Sequence, residues 1–179
     1  MREHQAVKAQ ELKWAITGRI AGTAIGAGIL TIVPREEISL LFGSMVLLAI
    51  ATTLSGFDLS LKPANLFGAG TFSGIMGTTS AIGGAPMALV YQRQKGAKIR
   101  GTLSSIFVAG TIISITSLAI IGRFEQTQLK AALVLIPGMI LGFFLSKHTS
   151  KILDRGFIRP AVIIASAISG ILVILQNVL

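Results

Sequence analysis

The chain of 179 residues contains no cysteine, and only 6% of its residues are aromatic and 13% charged. Without cysteine, neither disulfides nor thiolate metal sites can form. Soluble domains carry about twice this charged fraction, whereas 52% of the residues here are hydrophobic and the mean hydropathy is +0.77. This composition predicts an all-α integral membrane protein, multi-pass in a cell membrane such as the bacterial inner membrane, with the lipid bilayer as a partner.

Acidic residues are also scarce, since 7 Asp and Glu stand against 16 Lys and Arg, which gives a net charge of +9. A nucleic-acid partner is not expected, because the few aromatics and the lack of a basic face on a soluble module argue against it. The basic residues lie instead in short loops between apolar runs, where they orient membrane insertion.

The sequence contains few residue patterns that are typical of enzymes. There is no phosphate-binding loop with lysine, no carboxylate or imidazole relay within the apolar runs, and we expect no cofactor and no metal. An intramembrane serine protease is the enzyme alternative, with Ser73 as nucleophile. Its flanking spacing does not fit a nucleophile elbow, and its base would have to be His148, in a basic loop.

Five apolar runs are predicted to be spanning helices: Trp14–Val33, Ile38–Leu54, Thr102–Ile121, Ala131–Leu145 and Pro160–Val178. A polar tail, residues 1–13, precedes them. In the first run Gly18, Gly22 and Gly26 are four apart, which predicts a face for close helix contact. Arg19 is a functional candidate because it is intramembrane. Its position one turn inside Trp14 favours snorkelling to the interface instead.

The segment Asn65–Gln92 is apolar but contains six glycines and Pro86. Glycine costs roughly 1 kcal/mol and proline about 3 kcal/mol in a helix interior. Interrupted hydrophobic segments of this kind indicate the binding site of a transporter, because non-helical backbone at membrane depth must be buried in protein or line a cavity. The alternative is a packing segment whose glycines let neighbouring helices approach.

The distribution of basic residues predicts how this segment lies in the membrane. If it enters and returns to the cytoplasmic side, 12 Lys and Arg lie inside and 3 outside; if it crosses, the numbers are 6 and 9. The positive-inside rule favours the first arrangement. We therefore expect a re-entrant segment, a cytoplasmic N-terminus and an outside C-terminus.

A glycine-pair motif lies within the segment. The motif and its flanks read Ser73-Gly74, Gly77, Ala81-Ile82-Gly83-Gly84-Ala85-Pro86 and Ala88-Leu89-Val90-Tyr91-Gln92. This pattern resembles the second-half signature of the sulfite exporter TauE/SafE family. Arg100-Gly101-Thr102-Leu103 and Phe107 are similar to that family's next helix. Ala85 stands where the family commonly has the first of two prolines.

The resemblance implies a secondary transporter of small sulfur-containing or organic anions, built from two inverted halves that each open with a broken segment. Only one such segment exists here. Residues 14–54 would be two helices from the end of the first repeat. Residues 55–179 would be the second repeat, with the broken segment 65–92 and three spanning helices. We expect a shortened member that needs a homodimer or a missing N-terminal half; the alternative is a non-transporting membrane subunit.

The predicted anion site is a nest of backbone amides in the turn Thr79–Gly84, because free amides and helix ends attract anions. Hydroxyl groups can add donors, although each can instead bond its own helix backbone. Arg100 can draw anions to the cytoplasmic mouth, or it can be an ordinary positive-inside residue. The candidate substrate-binding residues are Ser73, Gly74, Thr78, Thr79, Ser80, Gly83, Gly84, Pro86 and Arg100.

Overall fold

The fold is helical with no strand in the part of the chain that this computed structural model describes, residues 9–55, 59–92, 97–153, 164, 166–172, 174 and 175. A 3₁₀ turn, Arg35–Glu37, follows the first helix. The helices are α1 (Ala9–Ile32), α2 (Ile38–Leu54), α3 (Pro63–Ser80), α4 (Gly84–Tyr91), α5 (Ala97–Ile120) and α6 (Gln126–Leu153).

Three stretches of these helices are long and apolar enough to cross a membrane: Gln10–Ile32, Gly101–Ile120 and Gln126–Phe144. Helix α2 is also apolar, but with 17 residues it is shorter than these three stretches. The predicted span Pro160–Val178 lies only partly within the described residues. Two predicted boundaries were wrong, because α1 already begins at Ala9 and α6 continues to Leu153 through Lys147 and Lys151. Lysine and glutamine are good helix formers, so a helix can extend beyond its apolar part.

Helices α1 and α3 pack against each other through glycine. A Cβ on Gly18 would overlap the carbonyl oxygen of Phe67, and one on Gly22 would overlap that of Thr71. A Cβ on Gly26, one turn further, would lie 3.1 Å from the carbonyl oxygen of Ile75. The predicted close-contact face of the first helix is therefore confirmed, and its partner is the glycine-rich segment itself.

The glycine-rich segment is interrupted between Ser80 and Gly84. Ala81 caps α3 in the left-handed conformation with φ 60°, which lets the chain reverse. Pro86 lies in the first turn of α4, where a missing backbone N–H costs little. Helix α4 then returns beside α3, since Val90 and Tyr91 belong to the same buried core cluster as Leu66 and Ala69 at the start of α3. The two helices form a hairpin, which we call the α3–α4 hairpin.

Helix α6 lies apart from this core, and none of its span Gln126–Phe144 is buried within the described part of the protein. The C-terminal residues contact α2 instead, where a Cβ on Gly170 would lie 3.5 Å from the carbonyl oxygen of Gly43. The packed unit around the broken segment is therefore made of α1, α3, α4 and α5, with α2 on its side.

Candidate functional site

The side chain of Arg19 is buried in the middle of this packed unit, with 4% of its surface exposed. Its Nη1 donates a hydrogen bond of 2.5 Å to Oγ of Ser73 in α3. The prediction that Arg19 snorkels to the interface was therefore wrong. Ala15, Arg19, Thr23 and Ala27 are spaced four apart and all are buried, so Arg19 belongs to the helix face that packs inward.

Glycines from three elements enclose the Arg19 guanidinium. A Cβ on Gly77 of α3 would lie 2.7 Å from Nη2, and a Cβ on Gly83, at the break, would lie 3.0 Å from Nη1. A Cβ on Gly110 of α5 would overlap Nε. The ring of Phe107, one turn before Gly110, has its centroid 5.9 Å from Cζ of Arg19, within the range of a cation–π contact. The missing side chains make the space that the guanidinium fills.

Ser73 joins the guanidinium to the break in the helix. While its Oγ accepts from Arg19, its hydroxyl donates a 2.5 Å hydrogen bond to the carbonyl oxygen of Gly83. Ser73 has no exposed surface. Removing its hydroxyl would leave two buried groups, one of them charged, without this partner, which is why Ser73 fixes the position of both Arg19 and the turn.

The positive charge of Arg19 is not balanced by a carboxylate among the residues that the structure describes. Ser73 is its hydrogen-bond partner, and its Nε has none. A buried charge without a counter-charge is unfavourable by several kcal/mol. A bound anion would relieve this cost, so the arrangement has the property expected of an anion site.

Arg19 faces a cavity of about 400 Å³ between α1, α2, α3 and α5, which we call the Arg19 cavity. The α3 residues Gly77, Thr78, Thr79 and Ser80 line it together with Ala81 of the turn. From α5 it is lined by Thr111, Ser114, Ile115 and Leu118. Ser114 shares a helix face with Gly110 because the two are four residues apart. Arg19 is the one charged residue of this described lining.

The candidate hydroxyl groups divide into two kinds. Oγ1 of Thr78 lies 2.9 Å from Oγ of Ser114 in α5 and donates over 3.3 Å to Oγ1 of Thr23 in α1, so it links three helices. Thr79 and Ser80 instead donate to carbonyl oxygens of their own helix, four residues back. All three line the Arg19 cavity, and their oxygens can accept hydrogen bonds from a solute there.

Two amides of the predicted nest are already engaged. The N–H of Ala81 donates to the carbonyl oxygen of Met76, and the N–H of Ile82 donates to the same oxygen over 3.4 Å. This is the usual closure of a helix that ends in a left-handed residue. The positive charge at the break is therefore supplied by Arg19 from α1. The sequence had instead favoured backbone amides as the donors and a snorkelling position for Arg19.

Three other candidate residues, Gly74, Gly84 and Pro86, do not line the Arg19 cavity. Gly74 faces the backbone of α1, where its Cβ would lie 2.5 Å from the carbonyl oxygen of Arg19. Gly84 is exposed at the start of α4. Pro86 lines a separate, apolar cavity of about 280 Å³ between α2, α3 and α4. Arg100 belongs to α5, and its side chain lies outside the described residues.

A second cavity of about 480 Å³ adjoins the Arg19 cavity, since Phe42, Thr78, Thr79 and Leu118 line both. It reaches the turn between α5 and α6, where Arg123 donates a hydrogen bond of 2.8 Å to the carbonyl oxygen of Leu30. Glu125 lines the same cavity. The two cavities together extend from the buried guanidinium to the end of α5, and Phe42 lies between them.

The sequence feature that could have indicated a buried Arg19 is the four-residue spacing of the small residues around it. A snorkelling arginine needs a free path along its helix to the interface, yet Gly18 and Gly22 bring α3 against the same side of α1. Gly110 gave no signal of its own, because a single glycine in an apolar helix does not indicate what packs against it.

One of the comparisons with known proteins identifies a family. No curated protein and no solved structure matches the chain. The sequence model described as "Sulfite exporter TauE/SafE" matches residues 1–173, which include the broken segment, Arg19 and all six helices. The chain therefore belongs to the sulfite exporter TauE/SafE family, which consists of membrane transporters of sulfite-type anions and not of enzymes.

Proposed function

We propose that this chain forms a secondary carrier of small anions, sulfite-like or organosulfur compounds, with its substrate site in the Arg19 cavity. The observation that carries the proposal is the buried Arg19 guanidinium, which has no carboxylate partner among the described residues and faces a cavity beside the break of α3. The family membership supports the transport of an anion.

Electrostatics explains why such a site suits an anion. An oxyanion that enters the membrane loses hydration and needs a fixed positive charge or converging dipoles in exchange. Arginine offers a planar, permanently charged donor group that fits the oxygens of a sulfonate, sulfite or carboxylate. Ser73 and the glycines hold this group in place, so that little side-chain entropy is lost on binding.

The broken segment provides the means of access. We propose that the α3–α4 hairpin enters the membrane and returns to the cytoplasmic side, with the N-terminus inside and the C-terminus outside. The return of α4 beside the start of α3 supports this arrangement, as does the charge distribution of the sequence. The turn Ala81–Gly83 would then lie at membrane depth, next to the buried Arg19.

We also propose that the transporting unit contains a second broken segment, supplied by another copy of the chain or by a separate N-terminal half. Inverted-repeat carriers place two broken segments at the membrane midplane, and the described helices contain one break of this kind. A membrane subunit that does not itself transport is the second candidate, because α6 is unburied along its span and could serve to contact a partner.

The proposal is tested by anion flux into proteoliposomes containing the purified full-length chain, with sulfite, thiosulfate, sulfonates and small carboxylates as substrates. Arg19→Gln should abolish flux, and Arg19→Lys should retain part of it because the charge remains. Lys130→Gln, which removes an exposed positive charge at the start of α6, is the matched control and should transport normally.

Equal flux in Arg19→Gln and the unaltered chain would place the site elsewhere. Absence of flux for every anion, with the chain inserted and folded, would favour the non-transporting subunit. Flux that appears only when a second copy is crosslinked to the first, or when a separate N-terminal half is added, would support the composite unit.

A further inference from the structure

The Arg19 cavity can balance one elementary charge, and we infer that it selects anions that carry a single negative charge over those that carry two. The inference rests on the proposed function, because it names the class of anion that the same site takes. The inference adds to the proposed function a preference between anions of different charge, which follows from the number of charged residues around the cavity.

The charge count begins with the elements that enclose the cavity. Helices α2 and α3 contain no charged residue. The other charged residues of α1, Glu11 and Lys13, lie near its start and do not line the cavity. Phe107 and Gly110 of α5 lie against the guanidinium, and neither is charged. The α5 residues that line the cavity are also uncharged: Thr111, Ser114, Ile115 and Leu118. Arg19 is thus the one formal charge among the described residues around this space.

The adjoining cavity does not alter the count. It carries Arg123 and Glu125, whose charges of opposite sign cancel at a distance. Arg123 is moreover directed to the carbonyl oxygen of Leu30. An anion beside Arg19 therefore experiences a field set by a single nearby positive charge.

A monovalent oxyanion bound to Arg19 gives a neutral pair, which is the least costly way to hold either ion away from water. A divalent anion leaves one negative charge without a partner. Hydroxyl and amide dipoles could reduce that cost, but the amides of Ala81 and Ile82 already donate to Met76. Thr79 and Ser80 donate to their own helix. The donors that a second negative charge would require are therefore largely engaged.

The guanidinium has one further nitrogen to offer such an anion. Its Nη1 donates to Ser73, and its Nε is buried against Gly110, where an anion cannot reach it. Nη2 makes no hydrogen bond within the described part of the chain, so it can donate to an oxygen of a sulfonate or of hydrogen sulfite. The site therefore suits a single oxyanion group.

The test compares two anions of nearly equal shape whose charges do not vary with pH, ethane-1,2-disulfonate with two charges and 2-(methylsulfonyl)ethanesulfonate with one. Binding to the purified full-length protein in detergent is measured by the rise in unfolding temperature at fixed ionic strength, since a ligand that binds the folded state stabilises it. We expect the monoanion to bind more tightly by at least about tenfold, equivalent to ~1.4 kcal/mol.

A second arm changes the charge of the cavity. Thr111→Lys adds a positive charge at a lining position of α5 that is exposed in the described structure, and should shift the preference toward the disulfonate by roughly tenfold. Thr116→Lys, which adds the same charge at an exposed position of α5 that does not line the cavity, should keep the preference for the monoanion. Arg19→Gln should remove binding of both.

The outcomes separate this inference from the proposed function. Equal binding of the two anions, or an unchanged preference in Thr111→Lys, overturns the charge selectivity and leaves anion transport by the site intact. Binding of neither anion, together with absence of flux for the wider panel, overturns the proposed function and the inference with it. A preference for the monoanion that is lost only with the lysine at position 111 supports both.

Discussion

The guanidinium of Arg19 packs against Gly110 so closely that the Cβ of any other residue at position 110 would overlap Nε. These residues lie in α1 and α5, helices separated in sequence by the whole broken segment. A charged group at the centre of the packed helices thus depends on the absence of a side chain on a distant helix. This relationship gives the first of the mutational predictions.

Gly110→Ala should displace the Arg19 side chain and reduce anion binding by at least about tenfold, ~1.4 kcal/mol, because a methyl group would occupy the position of Nε. Overpacking of this kind also costs about 1–3 kcal/mol of stability. Gly142→Ala in α6, where an added Cβ meets nothing within 4 Å, is the matched control. Anion affinity measured by thermal unfolding checks the expectation; unchanged affinity in Gly110→Ala would contradict the assigned site.

Ser73→Ala should destabilise the protein by about 1–3 kcal/mol, because Arg19 and the carbonyl of Gly83 lose a buried hydrogen-bond partner. Ser44→Ala is the control, since the Ser44 hydroxyl donates to its own helix at an exposed position. Ser73→Thr, which keeps a hydroxyl, tests whether the hydrogen bond itself matters. Denaturation curves of the three proteins in detergent provide the measurement, and equal midpoints for Ser73→Ala and Ser44→Ala would count against this role.

The adjacent glycines of the break should differ in tolerance. Gly83→Ala should impair anion flux strongly, since its Cβ would lie 2.6 Å from the carbonyl oxygen of Ser73 and 3.0 Å from Nη1 of Arg19. Gly84→Ala should be nearly neutral, because its nearest neighbour, Cζ of Phe107, would be 3.8 Å away. Flux in proteoliposomes distinguishes them. The reverse order would show that the turn acts through Gly84 and not through contact with Arg19.

Gly22→Ala should weaken the packing of α1 on α3 by about 1–3 kcal/mol through overlap with the carbonyl oxygen of Thr71. Gly28→Ala, on the same helix with no atom within 4 Å of the added Cβ, should be neutral or slightly stabilising because alanine is the better helix former. Thermal unfolding in detergent compares the pair. Similar losses in both would indicate a general effect of altering α1 and not the contact with α3.

The re-entrant topology is tested by single cysteines in a chain that has none of its own. Cysteines at the exposed residues Ser60 and Gln92 should both be shielded from an impermeant thiol reagent added outside intact cells, while one at Gln126 should react. Gly122 is unsuitable for the external position, because its φ of 70° would strain a cysteine. Labelling of Gln92 from outside would contradict the hairpin.

Sequence patterns predicted the membrane class, the glycine face of α1 and the interruption of α3, because each depends on composition or short-range spacing. The interruption of α3 shows how far such local patterns reach. The pair Gly83-Gly84 and Pro86 predicted a break, and they lie where α3 ends and α4 begins. The residue that adopts the positive φ, however, is Ala81. Local sequence therefore predicted where the turn lies but not which residue adopts the positive φ.

The sequence by itself determined that this protein is a helical membrane protein with one broken segment, since hydropathy, helix-breaking residues and the family signature are local properties of the chain. Only the tertiary structure decided where its charge acts. Whether an arginine near a helix end reaches the interface or turns inward depends on what covers its side of the helix, and here Ser73, Gly77, Gly83 and Gly110 cover it. These residues are far from Arg19 in sequence, so no pattern within the first helix could specify them.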